Sequence, residues 1–200
     1  MASRKNSPLE RLNVLFAKIV SGLIPPEGLS VREWAEKYRW LPAGHNSEPG
    51  LWRCSRTPYM AEILDSISDP EVKSISVMAC SQIGKSELQL NTLGYIIDQD
   101  PADVLYIQPT LDDAKKFSRQ RIAPMLSHCK RLRDKVSEVK SRDSGNTVLQ
   151  KMFPGGSLTL VGANSSSGLS STPIRYLIGD EVDRWSVSAG TEGDPWRLAE

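Results

Sequence analysis

The chain has 200 residues, of which 39% are hydrophobic, and its formal net charge is +1. This length supports one hydrophobic core, with or without an appendage, and near-neutrality leaves only a local patch of charge to indicate a polyanionic partner. The three cysteines lie far apart without a C-x-x-C pair, and no apolar run approaches a membrane span. These features exclude a zinc ribbon, a disulfide framework and a membrane protein, and we expect an intracellular, soluble protein.

The N-terminal region, residues 1–58, is predicted to be helical and irregular. Apolar residues recur at helical spacing from Ser7 to Val20, and a capping box at Ser30 and Glu33 predicts a second helix through Tyr38. Such stripes usually pack against a core, and the alternative is a docking helix for a partner. The segment from Trp40 to Pro58 is rich in Pro, Gly, Asn and Ser, which predicts irregular structure.

A strand followed by a Gly-Lys-Ser sequence is the central feature of the chain. After a predicted helix from Tyr59 to Ile67, alternating apolar and polar residues predict a strand from Val72 to Met78. The next eight residues end in Gly84-Lys85-Ser86 and run into a helical pattern, which is the order of a phosphate-binding loop. Ala79 replaces the usual first glycine, which costs little if its φ is negative. The alternative is a surface turn with a solvated lysine.

In a phosphate-binding loop, backbone N–H groups hold the anion, Lys85 reaches the β- and γ-phosphates and Ser86 ligates Mg²⁺. Tyr59 or Trp52 could stack on an adenine, although ordinary packing is the alternative for both. The candidate nucleotide-binding residues are Tyr59 and the loop itself: Ala79, Cys80, Ser81, Gln82, Ile83, Gly84, Lys85 and Ser86.

The rest of the chain predicts alternating strands and helices. Thr110 is a predicted N-cap for a helix that begins at Leu111. A small polar loop from Gly162 to Ser171 is either a plain connector or a segment that approaches phosphate or sugar. Strand, helix and strand in this order predict a parallel sheet with helices on its faces. The predicted strands are Asp103–Gln108, a hairpin of Asn146–Met152 and Ser157–Val161, and Ile174–Gly179.

The segment from Leu111 to Arg142 concentrates positive charge. It contains ten basic and four acidic residues in a nearly neutral protein. Such a segment is either a surface for the phosphate backbone of nucleic acid or a solvated helix face. Its aromatic content is one phenylalanine, so base stacking is not supported.

Two adjacent acids, Asp180 and Glu181, end the last predicted strand. A carboxylate at the end of a buried strand is where Mg²⁺ is held in an ATPase with a phosphate-binding loop. Asp180 would bind Mg²⁺, and Glu181 would orient and activate the attacking water. Alone, the pair is also typical of a helix N-cap.

The chain resembles the large terminase subunit of tailed phages, of the GpA type found in phage lambda. The resemblance spans about residue 30 to the end of the chain. The segments that carry it are Trp34–Arg39, Glu48–Arg53, Pro58–Tyr59, Ser68–Val72, Ser81–Ser86, Gly162–Ser165, Gly168–Ser171 and Tyr176–Arg184.

The resemblance implies a Mg²⁺-dependent ATPase motor that moves duplex DNA into a procapsid in the host cytoplasm. It implies partners as well: a small terminase subunit, the procapsid portal and further copies of the chain. By matched position the loop binds ATP, with Lys85 on the phosphates, Asp180 holds Mg²⁺ and Glu181 is the catalytic carboxylate. Many terminases have a charge-stabilising arginine inside the loop, where this chain has Ser81 and Gln82.

The missing arginine would then come from Arg175, Arg184 or a neighbouring subunit. The family's nuclease domain is expected after residue 200, so we expect the chain to be C-terminally truncated, with an exposed sheet edge and poor solubility. The fold expected is an α/β P-loop NTPase core over residues 59–200, a mostly parallel sheet flanked by helices. The alternatives are a helicase-like ATPase that remodels nucleic acid, or a non-catalytic module that docks a small terminase subunit through the face from Leu9 to Val20.

Overall fold

The structure is a computed structural model that describes residues 27–44, 48–136, 146–170 and 173–200, together with Ser7, Leu9, Leu12, Asn13, Leu15, Phe16 and Pro25. The predicted helix from Ser7 to Val20 therefore lies mostly outside the described residues. Four of its apolar side chains are described and all four are exposed: Leu9, Leu12, Leu15 and Phe16.

Helices make up most of the described regular structure. They are α1 Val31–Tyr38, α2 Ala61–Ile67, α3 Lys85–Gln99, α4 Leu111–Phe117, α5 Ala123–His128, α6 Lys130–Arg133, α7 Ser166–Leu169 and α8 Pro195–Ala199. A π-helical turn, Ser118–Ile122, joins α4 to α5. Single 3₁₀ turns cover Cys54–Arg56, Pro58–Met60 and Val182–Arg184. Among the described residues, no helix has both the length and the apolar character needed to cross a membrane.

Two sheets are present in the described part of the chain. The small one pairs β1 Trp40–Leu41 with β2 Gly50–Leu51 in antiparallel fashion. The main sheet has the order β4-β5-β3-β6 and contains β3 Val104–Gln108, β4 Gln150–Phe153, β5 Gly156–Gly162 and β6 Tyr176–Gly179. β3 is central and parallel to both β5 and β6, whereas β4 and β5 form an antiparallel hairpin. The predicted α/β class with a largely parallel sheet is confirmed.

The strand predicted from Val72 to Met78 is wrong in this structure. The segment forms no ladder with the main sheet, and its apolar side chains are exposed, Met78 completely. An alternating pattern of apolar and polar residues indicates that a segment can be extended. To be part of a sheet, the segment must also form backbone hydrogen bonds with a neighbouring strand, which the pattern does not reveal. β6 is the last strand on its side of the sheet in the described chain, and Val72–Met78 does not pair with it.

The N-terminal helix α1 belongs to the same hydrophobic core as the sheet helices. Its predicted capping box is confirmed, because Ser30 and Glu33 exchange side-chain and backbone hydrogen bonds. Trp34 is fully buried against α3, at a point where Gly94 leaves room for the indole ring. A Cβ atom on Gly94 would lie 2.2 Å from the Trp34 ring, so this helix interior depends on the missing side chain.

A buried acid on α3, Asp98, links that helix to α1, to α6 and to the turn after α6. Asp98, on α3, has a side chain with no exposed surface. It accepts a 2.9 Å hydrogen bond from Trp34 Nε1 and a 3.1 Å charge-assisted one from Arg131 Nε, and Lys135 Nζ lies 2.9 Å from its Oδ1. Burial opposes ionisation, but the hydrogen bonds from Lys135, Trp34 and Gln99 outweigh it and lower the pKa of Asp98. We call this set the Asp98 cluster.

Candidate nucleotide-binding site

The parallel strands bring three chain segments to one edge of the sheet. β3 ends at Gln108, β5 ends beside it at Gly162, and Asp180 follows β6 on the other side, with its backbone N–H bonded to the Ile107 carbonyl at 3.0 Å. In open parallel sheets, ligands bind outside the carboxyl ends of the strands. The acidic doublet therefore lies on the edge where a ligand site is expected.

The Gly-Lys-Ser loop, Ala79 to Ser86, leads directly into the 15-residue helix α3. Gly84 precedes the helix with φ of 95°, a left-handed conformation that favours glycine, and Lys85 is the first helical residue. Lys85 Nζ donates to the Ala79 carbonyl at 3.3 Å, which closes the loop on itself. Ala79 is absent from the residues with positive φ, so an alanine fits in place of the first glycine.

The Asp180 carboxylate is held by two glutamine amides. Gln89 Nε2, on α3, donates to Oδ1 at 3.0 Å, and Gln108 Nε2, at the end of β3, donates to Oδ2 at 3.0 Å. Among the described residues, no basic side chain forms an ion pair with Asp180. Both carboxylate oxygens are thus oriented by neutral donors, which leave the negative charge uncompensated. We call this arrangement the Asp180 clamp.

Tyr106 supports the clamp from within the sheet. Its hydroxyl donates to Gln89 Oε1 at 2.6 Å, which fixes the amide so that its NH₂ group points at Asp180. The ring is fully buried, and burial together with the charge of Asp180 raises the pKa of Tyr106 well above its usual value. The phenol is therefore a neutral donor at any physiological pH.

The clamp also joins the helix that follows the loop to the acidic doublet. Lys85 and Ser86 precede Gln89 by four and three residues on α3, so all three lie on one face of the helix. Since Gln89 contacts Asp180 directly, the start of α3 and the end of β6 border one space. The structure thus joins the helix that begins at Lys85 to the residue that follows β6 through one hydrogen bond from Gln89.

Glu181 has an unusual backbone conformation. Within the described chain, the non-glycine residues with positive φ are Gln82, in the loop, and Glu181, in the doublet. Such conformations cost of order 1 kcal/mol or more and cluster at functional sites. The Glu181 carboxylate is exposed and pairs with Arg184.

A family model named phage terminase large subunit gpA, ATPase domain, matches residues 46–200. The chain belongs to this family. It is 21% identical over 179 residues to the terminase large subunit of Enterobacteria phage P21, covering 89% of this chain and 28% of that protein. It is also 21% identical over 196 residues to the terminase large subunit of Escherichia phage lambda, covering 98% of this chain and 30% of that protein.

The chain thus spans less than a third of the length of these two curated relatives. No solved structure matches it.

Within this terminase ATPase domain, the two candidate aromatic residues differ in environment. Tyr59 is 51% exposed and its hydroxyl donates to the Ile83 carbonyl of the loop at 2.9 Å. Trp52 is buried in the main hydrophobic core, where it packs in the ordinary way. Of the two, Tyr59 is the one that contacts the loop.

The two candidate arginines lie at opposite ends of β6. Arg175 precedes the strand and forms a two-pronged ion pair with Asp100 at 2.8 Å, on the edge away from Asp180. Arg184 follows the doublet and contacts Glu181. Arg184 is therefore the member of this pair that lies at the edge with the clamp.

The residues at this edge fit a magnesium–nucleotide complex better than a protein-only metal site. The described residues contain no group of three or more His, Cys, Asp or Glu side chains placed to hold a metal ion. Mg²⁺ is commonly bound through one or two protein oxygens together with substrate phosphates and water. The Asp180 carboxylate, oriented by Gln89 and Gln108 and without a cation among the described residues, could serve as such an oxygen ligand.

Three residues of the clamp were missed by the sequence analysis: Gln89, Tyr106 and Gln108. Glutamine has no charge and forms no recognised motif with the Gly-Lys-Ser sequence, so pattern alone did not single it out. One signal was present, because Gln108 is a polar residue at the end of an apolar predicted strand. Such a side chain at the carboxyl edge of a parallel sheet is a natural site residue.

Proposed function

We propose that this chain is the ATP-hydrolysing part of a terminase that packages viral DNA, with ATP bound between the Gly-Lys-Ser loop and the acidic doublet. The observation that carries the proposal is the hydrogen bond from Gln89 to Asp180, which ties the helix that begins with Lys85 to the strand that ends with the doublet. Membership in the terminase ATPase family supports the use of ATP. The names of the two relatives support the packaging role.

The loop and Lys85 bind the phosphates of ATP. The N-terminus of α3 presents free backbone N–H groups and the positive end of a helix dipole, both of which favour an anion. Lys85 exchanges its weak contact with the Ala79 carbonyl for the β- and γ-phosphates. Tyr59, held against Ile83, is the residue we assign to the adenine.

Ser86 and Asp180 are the residues that would hold Mg²⁺. The ion supplies charge neutralisation at the phosphate oxygens when it is bound. Gln89 and Gln108 fix the orientation of the Asp180 carboxylate and contribute no charge of their own, so they position this ligand without competing with a cation. In phosphoryl transfer, positioning and electrostatics of this kind supply most of the catalysis.

Glu181 orients the attacking water. Its ion pair with Arg184 is exposed to solvent and spans three residues, and exposed pairs of this kind contribute little, so the carboxylate is released from it at little cost. The same release frees Arg184, which is then the charge-stabilising arginine that the loop lacks. A neighbouring subunit is the alternative source of that arginine.

The larger assembly follows from the terminase role. We propose that duplex DNA is the substrate that is moved, that a small terminase subunit and a procapsid portal are partners, and that several copies act together in the host cytoplasm. The exposed apolar residues Leu9, Leu12, Leu15 and Phe16 are the candidate contact for the small subunit.

The test is ATP turnover by the full-length protein with and without Mg²⁺. Lys85→Ala and Glu181→Gln each remove one proposed role and should lower kcat by at least about a hundredfold, because such groups act mainly in the transition state. Glu192→Gln is the matched control, since Glu192 is an exposed acid outside the site. Turnover by Glu181→Gln at the parental rate would contradict the assignment of the water-orienting role.

A further inference from the structure

The helical segment after β3 contains more basic side chains than are paired with acidic side chains in the described part of the chain. Residues 111–136 contain eight basic and three acidic side chains. Three of the basic residues are paired internally: Lys115 with Asp112, and Arg131 and Lys135 with Asp98. These three stabilise the fold.

The remaining five basic side chains have no hydrogen-bond or ion-pair partner among the described residues, and each belongs to an exposed residue. We call them the basic face. Its members are Lys116, Arg119, Arg121, Lys130 and Arg133. The segment's two other acids, Asp113 and Asp134, do not balance these five charges, so the net positive charge that remains favours an anionic partner.

The fold turns the basic face outward. The opposite side of the same helices is buried, and Phe117, Ile122 and Met125 pack into the main core. The π-helical turn between α4 and α5 places Arg119, Gln120 and Arg121 consecutively at the surface. Such turns are rare and frequent at functional sites.

The chemistry of the basic face suits a phosphodiester backbone. Arginine and lysine side chains bind phosphates through charge and counterion release. The segment's one aromatic ring, Phe117, is buried and stacked on Tyr106 at 5.0 Å, so it is not available to stack on unpaired bases. Duplex DNA, whose bases are already stacked, fits this surface better than a single strand.

The basic face also adjoins the start of α3. Gln120 and Arg121 line a cavity of about 10 Å³ together with Arg39 and Glu87. Arg39 is buried and its guanidinium pairs with Glu87 at 3.0 Å. Glu87 lies in the first turn of α3, two residues after Lys85. A phosphate bound at Arg121 would therefore lie near the first turn of α3.

From these observations we infer that the basic face is the surface on which this protein holds the phosphate backbone of duplex DNA. The inference rests on the proposed function, and it adds the location of the DNA and the residues that contact it. The central contacts are Arg119 and Arg121 on the π-helical turn, with Lys130 and Arg133 continuing the surface along α6.

Binding of the full-length protein to a short labelled duplex of arbitrary sequence, measured by fluorescence anisotropy over a range of KCl concentrations, tests this inference. The double variant Arg119→Gln/Arg121→Gln removes two phosphate contacts, so the slope of log affinity against log salt should become shallower by about two. At moderate salt the affinity should fall on the order of tenfold or more. Lys130→Gln/Arg133→Gln should behave in the same way.

The matched control is Arg53→Gln/Arg197→Gln, which removes two exposed arginines outside the basic face. This control should keep the parental slope, and thermal unfolding should show that all variants are folded. A basic-face variant that binds duplex with the parental affinity and slope overturns the inference and leaves an acidic protein as the partner. Loss of single-strand binding with unchanged duplex binding overturns it as well.

Binding is measured without nucleotide, so it does not depend on ATP hydrolysis. Failure of the ATPase proposal would show as unchanged turnover in Lys85→Ala and Glu181→Gln, whereas failure of the DNA surface would show only in the anisotropy slopes. The two results are therefore distinguishable.

Discussion

Two aspartates, Asp98 on α3 and Asp180 at the end of β6, differ in how the surrounding residues balance their negative charge. In the Asp98 cluster, a fully buried carboxylate is neutralised by Arg131 and Lys135 and receives a further hydrogen bond from Trp34. In the Asp180 clamp, a partly exposed carboxylate receives two hydrogen bonds from Gln89 and Gln108, and no described cation pairs with it.

The difference lies in charge, since both carboxylates are well hydrogen-bonded. Burying an ionised carboxylate without a cation would cost folding free energy, and in the Asp98 cluster Arg131 and Lys135 compensate the charge. The Asp180 clamp orients a carboxylate with neutral donors and leaves its charge unbalanced among the described residues. Mutations in the first region should therefore change stability, and those in the second should change metal dependence.

The largest expected effect on stability is that of Asp98→Asn. Removing the charge weakens the hydrogen bonds from Arg131 and Lys135, which are partly exposed and can turn to water, so the cost should be that of charge-assisted hydrogen bonds, about 1.5–3 kcal/mol. Urea unfolding of the full-length protein would measure the loss. Asp112→Asn, which removes only the exposed partner of Lys115, is the matched control and should cost less than about 0.5 kcal/mol. A cost for Asp98→Asn as small as that of the control would mean that the Asp98 cluster does not hold the fold together.

Gly94→Ala tests the packing around the same cluster. In an open helix this change is stabilising, but here the new methyl group would lie 2.2 Å from the Trp34 ring, so overpacking should cost about 1–3 kcal/mol. Thermal unfolding measures the effect. Trp34→Phe removes the ring atoms nearest to the methyl, so the double variant should be more stable than the sum of the two single losses predicts. Simple additivity would argue against the clash.

Gln108→Leu tests the clamp. Without its amide, Asp180 loses one of its two orienting hydrogen bonds, and the Mg²⁺ concentration needed for half-maximal ATP turnover should rise about tenfold. Gln150→Leu, at an exposed position on β4, is the control and should leave that concentration unchanged. A lower melting temperature with unchanged Mg²⁺ dependence would show that Gln108 has only a structural role.

The smallest effect is the pH dependence of the Asp98 cluster. Because the pKa of Asp98 is lowered from its ordinary value of 3.8, its stabilising contribution is fully present above about pH 4 and is lost as the pH falls through the folded-state pKa. The difference in unfolding free energy between the parent and Asp98→Asn should therefore shrink below pH 4. A difference that stays constant down to pH 2 would contradict the lowered pKa.

Much of the fold was predictable because its signals are local. The capping box at Ser30, the N-cap at Thr110 and the apolar strands β3 and β6 all follow from short-range patterns. The strand from Val72 to Met78 failed because pairing depends on a distant neighbour, which a local pattern does not contain.

The candidate site was predictable only in its charged parts. The Gly-Lys-Ser sequence and the acidic doublet stand out in the sequence, and in the structure Gln89 links the two segments that contain them. The glutamines themselves were not predicted, since neutral side chains acquire their role only from the fold that places them around Asp180. The pairing of Glu181 with Arg184 likewise depends on the turn after β6.

Metal binding by the nucleotide-loaded protein tests the central claim most directly. With a non-hydrolysable ATP analogue present, titration with Mn²⁺ monitored by electron paramagnetic resonance reports the affinity of the site without requiring turnover. Asp180→Asn should weaken Mn²⁺ binding by at least about tenfold, whereas Asp183→Asn, an exposed neighbour, should bind as the parent does. Parental Mn²⁺ affinity in Asp180→Asn would contradict the assignment of this carboxylate to the metal.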